Sequence, residues 1–224
     1  MKDGRSPHGL KAAKITHDDD AELESGIGRR TDERWPEYAF IVKTGSEVLV
    51  TRGASQLLSF LQGAKNLVFI GEEAGHTLAE YEMQDVVTGS YERALKAVEG
   101  WHQPPSRLSK RGASLLDSKP DKTTNGYKSQ AHKNIPGIRR AYELFPDVEW
   151  FILLDDDSYL FMDNMDDFLS EYNSSLPYYI GAANKFTGCG FKTFDEAPKF
   201  AHGSAIIMSK EAVRRIQPFI DLCI

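Results

Sequence analysis

Residues 150–157, Trp-Phe-Ile-Leu-Leu-Asp-Asp-Asp, constrain this chain more than any other stretch. The apolar half has strand length and no polar alternation, the pattern of a strand buried on both faces in a parallel sheet. The acidic half puts adjacent carboxylates where such a strand leaves the core. Neighbouring anions repel one another, so they need full solvation or a neutralising cation. Hard oxygen ligands at a strand's carboxyl end suit Mg²⁺ or Mn²⁺, and a divalent ion there can hold a diphosphate.

The rest of the chain supplies the partners such a strand needs. Residues 1–36 read as a disordered polar tail, rich in charge and glycine and poor in large apolar side chains. His17 and Asp18-Asp19-Asp20 within it form an acidic patch that is ordinarily just solvated. Order is expected from Tyr38, with a buried strand Tyr38–Lys43, a turn at Thr44-Gly45-Ser46, and a helix over Val48–Leu61 whose inner face is Leu57, Leu58 and Leu61. Asn66–Gly71 reads as a second strand, and the strand–helix–strand unit implies a parallel sheet. Helical pieces are expected at 79–87 and 91–99, then a long loop over Pro104–Lys128. Apolar residues at 135, 138, 141, 142 and 145 predict a helix ending before Pro146-Asp147. Beyond the carboxylates, Asn164 is expected to cap a helix over Met165–Tyr172, with Asp166 and Asp167 near its positive end. Strands at Tyr178–Gly181 and Ala205–Met208 follow, and Ser209 caps a last helix over Lys210–Ile216.

Charge and composition exclude several functions. A formal net charge of −6 and the lack of a Lys/Arg stripe argue against nucleic acid as a partner; Lys110-Arg111 and Arg139-Arg140 read as solvated surface pairs. No stretch approaches the roughly 20 apolar residues of a spanning helix, and the polar start Met1-Lys2-Asp3-Gly4-Arg5 has no signal-peptide core. Cys189 and Cys223 permit one disulfide and equally permit two buried thiols. Asn173-Ser174-Ser175 is a glycosylation sequon, a weak pointer to a lumenal setting.

Residues 38–216 resemble glycosyltransferase family 31, the group containing Fringe and the β-1,3-galactosyl- and N-acetylglucosaminyltransferases, and most of all its fungal branch. The likeness is carried by Lys43-Thr44 with Arg52, by Phe69-Ile70-Gly71-Glu72, and by Lys133-Asn134-Ile135-Pro136 with Ala141-Tyr142 and Pro146-Asp147. Trp150–Tyr159 follows the signature Trp-Phe-x-x-x-Asp-x-Asp-[Thr/Ser]-Tyr. Tyr179-Ile180-Gly181 and Phe200-Ala201-His202-Gly203-Ser204-Ala205 resemble the family's later strand and its acceptor-side motif.

The resemblance implies an α/β, GT-A-type, Rossmann-like nucleotide-sugar-binding fold with a mostly parallel mixed sheet, occupying residues 37–224. It also implies Mn²⁺ (or Mg²⁺) as cofactor, a UDP-galactose or UDP-N-acetylglucosamine donor, inversion at the anomeric carbon, a glycan or glycoprotein acceptor, and the Golgi or secretory lumen as location. Asp155 and Asp157 would ligate the metal. On extended backbone, residues two apart leave on the same side. Asp155 would also meet the ribose or sugar hydroxyls, and Asp156 can take either role. Thr44 and Arg52 would line the uridine pocket, Lys133 would lie near donor or sheet, and His202, Gly203 and Ser204 would face the acceptor.

Two departures from the family pattern bear on activity. Ile206 stands where the family has a glycine, and a β-branched residue forbids positive φ there. The general base that an inverting transferase requires is expected beyond Ile224, so the transferase domain reads as C-terminally incomplete; Asp221 is the only late carboxylate and is not assigned the role. Two alternatives stand beside the enzyme: a relative that only binds nucleotide sugar or glycan, and a haloacid-dehalogenase-like phosphatase with Asp155 as nucleophile. The phosphatase would carry its motif on the opening strand and need a Lys and an acidic pair well downstream, for which too little chain follows. An EF-hand is excluded because Leu160 stands where its loop requires glycine.

Overall fold

The computed structural model describes residues 34–90, 93, 131–185 and 199–222. The expected loop over 104–128, nearly all of the expected helix at 91–99, Cys189 and Cys223 lie outside the described residues.

Strand β1 (Arg34–Lys43) pairs in parallel with β2 (Ala64–Gly71) on one side and with β6 (Trp150–Asp155) on the other. The order across the six-stranded sheet is β5-β2-β1-β6-β8-β7. The short β5 (Gln84–Asp85) adds in parallel to β2, while β8 (Lys199–Ser209) and β7 (Tyr179–Lys185) run antiparallel at the other edge. This is the expected mixed α/β sheet, consistent with a GT-A Rossmann-like fold.

Alternation along the central strands feeds two separate cores. Tyr38, Phe40 and Val42 of β1 and Trp150, Ile152 and Leu154 of β6 face one side; Ala39, Ile41, Phe151 and Leu153 face the other. The first face is covered by Leu49, Phe60 and Leu61 and by Met162, Met165 and Leu169 of helix α3 (Met162–Ser170). The second is covered by Ile138 and Ala141 of helix α2 (Ala131–Leu144) and Val213 of helix α4 (Lys210–Ile216). Phe40, Phe69 and Phe151 are fully buried, each worth about 2–3 kcal/mol relative to exposure. Helix α2 lies close to the sheet because Gly137 has no side chain; a Cβ there would stand 2.2 Å from Ile70 Cδ1.

Several expectations are corrected. The first strand starts at Arg34 and takes in Trp35 and Pro36 of the expected tail, while residues 1–33 of that tail lie outside the described residues. In place of one helix over 48–61, a single π turn (Leu49–Gly53) leads into a four-residue helix α1 (Ala54–Leu57). The wider turn rotates the inner face, so Leu58 is 82% exposed and Gln56 is buried. Residues 77–85 form short strands, β3 (Thr77–Leu78), β4 (Tyr81–Glu82) and β5, with no helix. Helix α3 begins at Met162 without a side-chain cap from Asn164, and Asp166 lies within it and accepts a hydrogen bond from the Tyr38 hydroxyl. Arg139 is no solvated surface charge: it is mostly buried and pairs with Asp221 at 2.6 Å. The expected Ser209 cap is present, its side chain accepting from the Ala212 N–H.

Candidate functional site

Parallel register brings the charges together. Lys43, the last residue of β1, stands opposite Asp155, the last of β6, and their side chains pair at 2.8 Å. The chain then turns, Ser158 N–H donating to Asp155 C=O at 3.1 Å. Strand β6 therefore ends at Asp155. Asp156 folds inward and Asp157 outward, with side chains 8% and 68% exposed.

Asp156 is fully engaged. The Thr44 hydroxyl donates to its Oδ2 at 2.8 Å, and Arg52 Nη1 donates to its Oδ1 at 3.0 Å. The same guanidinium nitrogen lies 3.8 Å from Asp157 Oδ2. The hydrogen bond to Asp156 raises the Arg52 pKa above its already high ordinary value, so Arg52 stays cationic at any relevant pH. Thr44 is 4% exposed; it holds Asp156 from beneath and does not line the open cleft.

Lys133 extends this wiring under the sheet edge. Its buried ammonium donates to Thr44 C=O at 2.8 Å and pairs with Glu72 Oε2 at 2.5 Å. Glu72 also accepts from the Ser46 N–H at 3.3 Å. Burial alone would raise the Glu72 carboxyl, but the Lys133 ammonium outweighs it together with backbone donors, leaving the pKa below the ordinary range. Glu72, Lys133, Thr44, Asp156, Arg52 and Asp157 thus form one continuous polar chain across the carboxyl ends of β1, β2 and β6.

Sequence reasoning missed Gln56. Its side-chain N–H₂ donates to the carbonyls of Asp155 at 3.0 Å and Ser158 at 2.8 Å, clamping both ends of the acidic turn. Only the π turn brings it there. Such turns recur at functional sites, but no residue pattern in 48–61 announces this one.

The acceptor-side residues sit beside the same edge. Leu154 pairs with Ala205 across β6 and β8, so Ser204 and Gly203 come next to the level of Asp155, and both are exposed. Gly203 has φ +116, a conformation only glycine adopts without strain. Ile206 is an ordinary ladder residue paired with Leu153, so the positive φ in this strand falls at Gly203. The His202 backbone pairs with Ala182. Where the β7–β8 register shifts between Ile180 and Ala182, Gly181 is required because a Cβ would stand 2.9 Å from Ala201 Cβ. Asp221 lies elsewhere, between Arg139 and Arg93.

Beside the carboxylates a cleft of ≈ 320 Å³ is lined by Arg52, Gln56, Asp156, Asp157 and Tyr159, among others. Among the described residues, no three His, Cys, Asp or Glu side chains gather as a ready-made metal cluster.

A family model described as Fringe-like matches residues 113–222, a span running through α2, β6, the acidic turn, β7, β8 and α4. Human chondroitin sulfate synthase 3 is 34% identical over 79 residues, which cover 34% of this chain and 9% of that protein. Glycoprotein-N-acetylgalactosamine 3-beta-galactosyltransferase 1 of Xenopus laevis is 33% identical over 84 residues, 37% of this chain and 21% of that protein. The chain therefore aligns with only a small part of each relative's length. Across residues 113–222 the sequence is Fringe-like, and the resemblance to glycosyltransferase family 31 holds at that level.

Proposed function

We propose that this chain is a hexosyltransferase domain that binds a UDP-sugar through a divalent cation at the Asp155–Asp157 edge and transfers the sugar to a glycan or glycoprotein. The observation that carries the reading is the acidic turn itself, pinned by Lys43, Thr44, Arg52 and Gln56 at the carboxyl end of a central strand. Ligands of open α/β sheets bind at such edges.

The donor set fits a hard cation that shares its coordination with a diphosphate. Asp157 is exposed and only loosely approached by Arg52, so it is the carboxylate free to ligate. Asp155 can add a second oxygen while Lys43 fixes its orientation. Mn²⁺ or Mg²⁺ held there would neutralise the diphosphate and stabilise the leaving UDP as a Lewis acid. Arg52 is half exposed and can meet a phosphate oxygen on the side away from Asp156. Gly203 and Ser204 offer backbone and hydroxyl contacts across the cleft. The choice of galactose or N-acetylglucosamine, β-1,3 linkage, inversion, the fungal branch and a secretory-lumen location belong to this proposal and rest on family resemblance. An exposed sequon at Asn173, in the turn between α3 and β7, supports the location. No helix among the described residues is long and apolar enough to cross a membrane.

Nucleotide-sugar binding without transfer is the second reading. The pairing of Asp221 with Arg139 and Arg93, which keeps that carboxylate from serving as the base, is compatible with it.

Calorimetric titration with UDP, with and without Mn²⁺, tests the donor site. Wild type should bind UDP only with the cation, and Asp157→Ala should lose that cation dependence while unfolding at the same temperature. Unchanged Mn²⁺-dependent UDP binding in the variant would refute the assignment. Sugar transfer by the wild-type chain would remove the second reading.

A further inference from the structure

A second groove, of ≈ 420 Å³, lies next to the carboxylate cleft and is lined by Arg34, Ser59, Phe60, Tyr159, Phe161 and Asp163 with their neighbours. Ser59 and Tyr159 line both depressions, so the two are continuous. The groove has an unusual floor for a surface of this kind. Phe60, Tyr159 and Phe161 form a row with centroids 5.1 and 5.4 Å apart, each pair edge to face. Tyr159 and Phe161 nevertheless remain 58% and 72% exposed. Leaving two large rings in water at one place is costly, and it commonly marks a contact surface.

The groove's polar groups decide what it contacts. The side chains of Asp163 and Asn164 make no hydrogen bond or ion pair with another described residue, and both lie at the groove wall with Ser59 and Arg34. Flat apolar rings flanked by an unpaired carboxylate and amide match the two faces of a sugar, with the Ser59 hydroxyl, which donates to the Ser55 and Gln56 carbonyls, and the Arg34 guanidinium, which lies over Trp35, beside them. The C–H face of a pyranose lies on a ring, and its hydroxyls meet donors and acceptors at the rim. One cation and one anion leave the wall close to neutral, which favours an uncharged oligosaccharide over a sulfated or uronate-rich one.

We propose that the Tyr159–Phe161 groove is a glycan subsite that receives the part of a neutral oligosaccharide acceptor remote from the reacting hydroxyl. This rests on the transferase reading, since continuity with the carboxylate cleft gives the bound chain its direction. Longer acceptors would then bind better than short ones, with the gain coming from stacking on Phe161.

The test is titration of the full chain with N-acetyllactosamine and with its tetrasaccharide, in parallel with UDP and Mn²⁺. Wild type should bind the tetrasaccharide more tightly than the disaccharide. Phe161→Ala should lower tetrasaccharide affinity roughly three- to tenfold, and leave disaccharide and UDP–Mn²⁺ binding unchanged. Phe161→Leu keeps apolar bulk without a flat face and should also lose the length advantage, while Phe161→Trp should keep it; this guards against a misfolded alanine variant. Equal affinity for both lengths, a length preference indifferent to Phe161, or retention by leucine would overturn the subsite. A groove that binds no sugar in a chain that still binds UDP–Mn²⁺ refutes the subsite alone, as would an oligomer that forms through Phe161 and excludes the glycan. Loss of UDP–Mn²⁺ binding in wild type would instead refute the transferase reading.

Discussion

The two sides of the cleft are built by different physics. On the parallel side, β1, β2 and β6 are buried on both faces, and their carboxyl ends are joined by charge: Lys43 to Asp155, Lys133 to Glu72, Arg52 to Asp156. On the antiparallel side, β7 is largely exposed, and its fit to β8 depends on backbone shape at Gly181 and Gly203. One flank orders its polar groups by neutralising them in pairs, which holds a fixed constellation of charge. The other keeps few side chains in the way and leaves β7 open to solvent.

If that contrast is right, the parallel side should be the more costly to disturb, and through charge. Lys133→Met is the sharpest probe. The side chain is 3% exposed and its removal leaves Glu72 and Thr44 C=O without their shared donor. Breaking a largely buried pair from one end typically costs 3–5 kcal/mol, and Glu72 keeps partial access to water, so about 3 kcal/mol is expected. Urea unfolding at pH 7 with an unchanged slope would measure it. A loss below about 1 kcal/mol would mean that the pair is dispensable and the two flanks are less different than their contacts imply.

Gly203→Ala probes the shape-based side and should cost less. A Cβ there meets only Ala182 Cβ at 3.5 Å, an ordinary contact, so the penalty comes from φ +116 alone. About 1 kcal/mol is expected, with UDP–Mn²⁺ binding preserved and glycan binding weakened. A larger loss than that of Lys133→Met would invert the comparison.

The legible parts of the molecule are those whose signal is local. Trp150–Asp155 is a strand because its apolar run can be buried on both faces, and Ser209 caps α4 because a hydroxyl before a helix needs no tertiary information. The β1·β2 parallel pairing follows from strand spacing and crossover rules. What stayed hidden depends on contacts distant in sequence. The π turn at Leu49–Gly53 swings Arg52 and Gln56 onto the acidic turn 104 and 99 residues away, and helical periodicity alone favours Leu58 as the inward residue. Thr44 was legible as a site position, but its role as the buried donor to Asp156 requires the β1–β6 register. The aromatic groove was likewise invisible, because no residue pattern shows that the loop after the carboxylates leaves Tyr159 and Phe161 exposed on the surface.

The smallest expected effect is a pH dependence that separates the flanks without touching the ligand. The Glu72 carboxyl lies below its ordinary 4.5 in the folded chain, burial being outweighed by the Lys133 ammonium and the backbone donors. The unfolded chain therefore takes up the proton first. The stability contributed by Glu72 is present above pH 4.5 and is lost as pH falls through the lower folded value. Thermal unfolding from pH 7 to pH 3 should show wild type losing stability in that window more steeply than Glu72→Gln, whose side chain cannot titrate. The glutamine variant should already be less stable at pH 7, where it lacks the charged partner for Lys133, and the two curves should converge as the solution becomes acidic. Parallel curves over the whole range would mean that the Lys133–Glu72 pair does not hold the parallel side together, and the polar chain beneath Thr44 would then owe its order to packing.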